Sequence, residues 1–169
     1  MMMNENREFH TVRGYQLLEQ EKRVLTSSME DYLEMIYRNS LEAGSMRINT
    51  LSELLNVRPS STTKMVQKLT KAGMVDYQKY GIIFLTEKGK SIGEFLYNRH
   101  NIIEAFLECI GISENAFVET ELIEHNISPR TLQNINLFNH FIKENPDFKE
   151  RFEKFKSPEA IHDRANPDL

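Results

Sequence analysis

Three groups of side chains in this 169-residue chain have the types and spacing of metal ligands. Asp31 and Glu34 are three residues apart, which on a helix puts both carboxylates on one face. Glu121, Glu124 and His125 follow an i, i+3, i+4 pattern with the same result, and His100 falls between the two groups in sequence. Like charges at such spacings destabilise an isolated helix by roughly 0.2–0.5 kcal/mol per pair, and a divalent cation would offset that repulsion. Water offsets it too. Taken singly, paired acids describe a solvated helix face, and His100, four residues after Leu96, fits a hydrogen-bonded core histidine. Spacing alone does not bring the three groups together.

A second chemistry lies between the two acidic groups. Ser60, Ser61, Thr62, Lys64, Gln67, Lys68 and Lys71 read as the exposed residues of one helix, a mixture of hydroxyls, an amide and ammonium groups. Hydroxyls and amides can read base edges in the major groove of DNA, whereas lysines mainly neutralise phosphates. Arg58 before this helix and Lys79 after it would extend the phosphate contacts. The chain is acidic overall, at -4, but residues 58–90 hold seven basic and two acidic side chains. A basic island in an acidic chain is the electrostatic footprint of a nucleic-acid module joined to something else. For any one of these residues a merely solvated face remains the alternative.

The elements that must position these groups are legible from periodicity. From Ser28, after a cap at Ser27 or Ser28, Met29, Tyr32, Leu33, Ile36 and Tyr37 recur at helical spacing up to Gly44, so the first acidic pair is expected on a helix. Asn49 is the expected cap of a short helix bearing Leu51, Leu54 and Leu55, and Pro59 opens the next, with Met65, Val66 and Leu69 inside and Gly73 at its end. Two short helices joined by a tight turn suggest a helix-turn-helix. Two β-prone runs, 74–77 and 82–85, then form a hairpin about Lys79, Tyr80 and Gly81, which would be a wing. Thr86 opens a long helix stopped at Gly111, and further helices are expected at about 114–127, 129–144 and 147–156. Their apolar stripes need a partner surface, and in a chain this short a second copy supplies one. The fold class is therefore mostly α: a winged helix-turn-helix with a small hairpin, then a helical dimerisation region. Its expected divisions are an N-terminal extension at 1–25, the DNA module at 26–95, the helical region at 96–157 and a tail at 158–169.

Composition excludes other classes. One cysteine, Cys109, forms no internal disulfide and supports no zinc finger, and its neighbours Leu107 and Ile110 suggest a buried thiol. Apolar runs are broken by charges every few residues, and the start lacks the pattern of a secretory leader, so a cytoplasmic protein without a membrane span is expected.

The strings SMEDYLEMIY, RPSSTTKMVQKL, the Tyr-Gly turn followed by LTEKGKSIG, the Arg-His of YNRH, and ELIEH occur in this order between Leu25 and Glu144, about 70% of the chain. In them the chain resembles the DtxR/MntR family of metal-dependent repressors, and within it the manganese-responsive MntR-type branch. The resemblance implies that Asp31, Glu34, His100, Glu121, Glu124 and His125 ligate a binuclear metal site. Iron-type members carry Met at the position of Asp31 and Cys at that of Glu121; hard carboxylate oxygen there suits Mn2+, with Fe2+ or Zn2+ as other occupants. An ancillary histidine of the iron-type proteins falls at Phe117, which cannot ligate. Asn126 stands where manganese-type members have a second histidine, about 25 residues precede the homologous part, and the length suits the two-domain form without an SH3-like third domain.

The implied function is repression of metal-uptake genes by a homodimer on double-stranded operator DNA, with metal fixing the spacing of two recognition helices; no catalysis is expected. One rival is a di-metal carboxylate enzyme, which needs two Glu-x-x-His motifs where this chain offers only Glu159 to His162. The other is a winged-helix regulator that uses no metal.

Overall fold

The computed structural model describes residues 25–156. The extension at 1–24 and the tail from 157 lie outside the described residues, as does the Glu159 to His162 motif. The chain divides into two compact units, the first ending at Arg99 and the second beginning at His100.

In the first unit, helix α1 (Ser27–Ala43) is followed by strand β1 (Met46–Arg47), helices α2 (Ile48–Leu54) and α3 (Pro59–Lys71), and strands β2 (Val75–Tyr77) and β3 (Ile82–Leu85). Helix α4 (Glu87–Cys109) starts in this unit and continues into the second. The caps explain the boundaries. Thr26, one residue earlier than the sequence suggested, accepts from the Met29 N–H, and Gly44 ends α1 at φ 70°, donating to the Ser40 carbonyl. Pro59 sits at the start of α3, where its missing N–H costs nothing. Asn49 lies inside α2 instead of capping it; Arg47 holds the cap position and makes no side-chain bond there. The reason is β1, which the sequence reading missed. Met46 and Arg47 pair with Ile83 and Ile82, so the wing is a three-stranded antiparallel sheet of order β1-β3-β2, and not a lone hairpin.

Leu33, Ile36, Leu51, Leu69, Met74 and Ile83 form the fully buried core of this unit. Thr86 joins wing to helix: its hydroxyl accepts from the Gly89 N–H at 3.0 Å and donates to the Gly73 carbonyl at 2.7 Å. Farther along α4, a Cβ at Gly93 would lie 2.7 Å from Tyr37 Cβ, so a glycine is what lets α1 and α4 approach this closely. Arg99 closes the same seam, donating to Glu30 at 3.0 Å with both side chains largely buried.

The second unit holds the rest of α4, then α5 (Ala116–Ile123), a 3-10 turn at Glu124–Asn126, α6 (Pro129–Glu144) and α7 (Pro146–Lys156). Ser128 caps α6 by accepting from the Thr131 N–H, and Lys156 of α7 reaches back to the Ile110 carbonyl at the end of α4. Ile103, Leu107 and Leu132 are buried. Phe117, Val118, Leu122, Leu137, Phe141 and Phe155 are not, although all are large and apolar. Cys109 is half-buried, so the expected fully buried thiol is not what the fold provides. No described helix is long and apolar enough to cross a membrane.

Candidate metal centre and DNA-reading surface

The second unit builds a cluster of nitrogen and oxygen donors about His100, buried at His100 and Glu124 and open at Glu121, whose side chain is 37% exposed. The imidazole, 1% exposed, is carried on α4, and its Nδ1 lies 3.1 Å from Glu124 Oε2 and 3.5 Å from Glu121 Oε1. Glu124 is equally buried. Its other oxygen lies 3.8 Å from His125 Nε2. The sequence placed Glu121, Glu124 and His125 on one continuous helix face. Instead α5 ends at Ile123, and Glu124 and His125 occupy the 3-10 turn, whose tighter winding brings Glu124 inward while His125 stays partly exposed.

Burying carboxylates beside an imidazole is expensive unless charge and hydrogen bonding are satisfied. A group of carboxylate oxygens with one or two imidazoles is also the donor chemistry that hard, divalent first-row ions accept. The residues present therefore fit a divalent metal. Glu104, which the sequence reading passed over, lies 4.0 Å from His100 Nε2, on the side of the ring away from Glu124. A carboxylate there can orient the ring, as acids behind ligating histidines commonly do. Its position four residues after His100 was the signal available. Phe117 packs against the same ring at 5.1 Å between centroids.

The first unit carries the other acidic pair. Asp31 and Glu34 both lie on α1, Asp31 half-buried and Glu34 buried. Arg38 donates to Glu34 Oε1 at 2.6 Å, another i, i+4 partner left unread in the sequence.

The helix expected to read DNA is α3. Thr62, Val66 and Leu69 form its buried side, and Ser60, Ser61, Lys64, Gln67, Lys68 and Lys71 are exposed, with Arg58 just before the helix and Lys79 on the wing exposed as well. One expected contact is corrected. Thr62 is completely buried and its Oγ1 lies 2.9 Å from the Ser52 hydroxyl, so it joins α2 to α3 and is turned away from any bound duplex. Its place three residues before Met65 and four before Val66 had already set it toward the core. Tyr80, at the wing tip, is 91% exposed with φ 65°, a conformation uncommon for a residue with a side chain.

Residues 24–83 match the description "Iron dependent repressor, N-terminal DNA binding domain", and residues 86–153 match "Iron dependent repressor, metal binding and dimerisation domain". The chain belongs to the iron-dependent repressor family. It is similar to the HTH-type transcriptional regulator MntR of Oceanobacillus iheyensis, 48% identical over 118 residues, 69% of this chain and 80% of that protein. The MntR of Lysinibacillus sphaericus is 41% identical over 78% of this chain and 96% of its own length. Among solved structures, the manganese regulator SloR superposes with a TM-score of 0.60 at 28% identity, over 69% of this chain. That match covers 55% of SloR, so the chain spans about half the length of this solved regulator. Membership makes the chain a metal-dependent, DNA-binding transcriptional repressor with a divalent-metal and dimerisation region, on a helical fold with a winged helix-turn-helix.

Proposed function

We propose that this repressor responds to Mn2+ and controls metal-uptake genes. The observation that carries the reading is the buried cluster in which His100 faces Glu121 and Glu124, inside the region matched as metal-binding. In this reading Asp31 and Glu34 of α1 complete the ligand set with His100, Glu121, Glu124 and His125, holding two ions per subunit. Carboxylate at positions 31 and 121 favours Mn2+, and the MntR names of the similar proteins support the same choice. Fe2+ and Zn2+ also bind such donors.

The protein acts as a homodimer, for which the exposed apolar side chains of α5 and α6 offer surface. Two recognition helices must stand about one DNA turn apart, ~34 Å, to engage both half-sites. Ligands drawn from α1 and from the dimerisation region tie the two units together when the ion is bound, which fixes that spacing. Without it the helices sample many spacings, and DNA affinity falls by the fraction that is correct. On the DNA, Ser60, Ser61 and Gln67 read bases while Arg58, Lys64, Lys68, Lys71 and Lys79 meet phosphates. The test is a titration of chelator-treated protein against its own upstream DNA with each metal in turn. Full activation by Mn2+ and partial activation by Zn2+ is expected; binding that ignores every metal would favour the metal-free regulator.

A further inference from the structure

We propose that Arg38 is a built-in competitor for the metal ion and raises the Mn2+ concentration at which the repressor responds. The inference rests on Glu34 being a ligand, as proposed above. Arg38 and Glu34 form a short, charge-assisted bond of 2.6 Å along α1, with the Glu34 side chain only 7% exposed. The Arg38 side chain is 31% exposed, yet it is held from a second direction. Its guanidinium carbon lies 5.3 Å over the ring of Tyr97 on α4, that ring lies 6.0 Å from Tyr37, and Arg38 Nε is buried.

A guanidinium held in this way places a fixed positive charge beside the carboxylate that would receive the ion. A cation binding to Glu34 must either draw the carboxylate off Arg38 or accept a like charge a few ångströms away, and both outcomes weaken it. Arg38 gives something in return, since it orients the carboxylate. That return is bounded by the rotamer entropy of one glutamate, whereas a divalent ion feels the repulsion twice over, so the repulsion wins. The ion that uses Glu34 is then held more weakly than its donors alone would hold it, and the Mn2+ concentration needed to fill the site rises.

The experiment follows free Mn2+ by the electron paramagnetic resonance signal of the hydrated ion during titration of the full chain, beside thermal melting of the metal-free protein. Arg38→Met keeps the unbranched stem over Tyr97 and removes the charge; the Mn2+ step that uses Glu34 should tighten on the order of tenfold with the same number of ions bound. Arg38→Gln should do the same if the methionine variant melts early, and Arg38→Lys, which keeps the charge, should stay near the parent. Mn2+ binding in which every step is unchanged or loosened in the neutral variants overturns the proposal. Glu34→Gln separates this from failure of the ligand reading: loss of one Mn2+ per chain supports Glu34 as a ligand, and an unchanged number of ions removes the basis of both.

Discussion

Helix α3 and the His100 cluster stand in opposite relations to water, and the role proposed for each follows from that relation. On α3 the functional groups point into solvent, where an ammonium or an amide costs nothing to keep and remains available to a large, charged ligand. At the centre of the cluster His100 and Glu124 are buried, where the same kinds of group interact strongly and are costly without a partner. Exposed chemistry is tolerant and individually weak; buried chemistry is intolerant and individually decisive. Single substitutions should therefore be graded on the surface and nearly all-or-none in the cluster.

The largest expected effect is removal of metal. Stripping Mn2+ should lower affinity for the operator by about 100-fold while leaving binding to random DNA unchanged, since the phosphate contacts of α3 do not depend on the cluster. Filter binding to both DNAs, with and without chelator, measures it; an equal fall on both would erase the distinction between the two regions.

Next comes the metal preference. Asp31→Met with Glu121→Cys should raise activation by Fe2+ relative to Mn2+ by about tenfold, because sulfur suits the softer ion. Operator binding against free metal under anaerobic conditions reads the ratio, and an unaltered ratio would assign the preference to other residues.

Smaller effects belong to α3. Gln67→Ala should cost about 1 kcal/mol on the operator and relax its sequence preference, whereas Lys68→Ala should weaken all DNA alike and reduce the salt slope by about one unit. If the two variants behave identically on operator and random DNA, the assignment of base-reading and phosphate-binding roles along α3 is wrong. The smallest effect is on stability: Thr62→Val should lower it by about 1 kcal/mol through the lost bond to Ser52, with DNA preference intact, as seen by melting and by competition with random DNA.

The sequence was most legible where local physics decides. Pro59 and Gly44 mark helix ends because their backbone preferences act without help from the rest of the fold, and α6 appears at the residues its periodicity predicts. It was least legible where a distant partner decides. Strand β1 is two residues long and exists because Ile82 and Ile83 pair with it, so Asn49 lost its expected capping role to a contact more than thirty residues away. Thr62 has a side chain suited to reading DNA, but its hydroxyl is taken up by Ser52, ten residues away, a pairing that its inward spacing from Met65 and Val66 allowed but did not specify. In the candidate site, His100, Glu121 and Glu124 were nameable as donors, but their convergence depends on α5 giving way to a 3-10 turn, which periodicity could not reveal. Arg38 and Glu104 could have been found by extending the i, i+4 rule outward from each proposed ligand.

The central claim is that the buried cluster controls DNA affinity through a divalent ion. The most direct measurement is the ratio of operator affinity with and without Mn2+, taken for the parent chain and for Glu124→Gln, which keeps the volume of the buried side chain and removes its charge. The account predicts a ratio of about 100 for the parent and near one for the variant, with binding to random DNA equal in both. A variant that responds to Mn2+ as the parent does would contradict it.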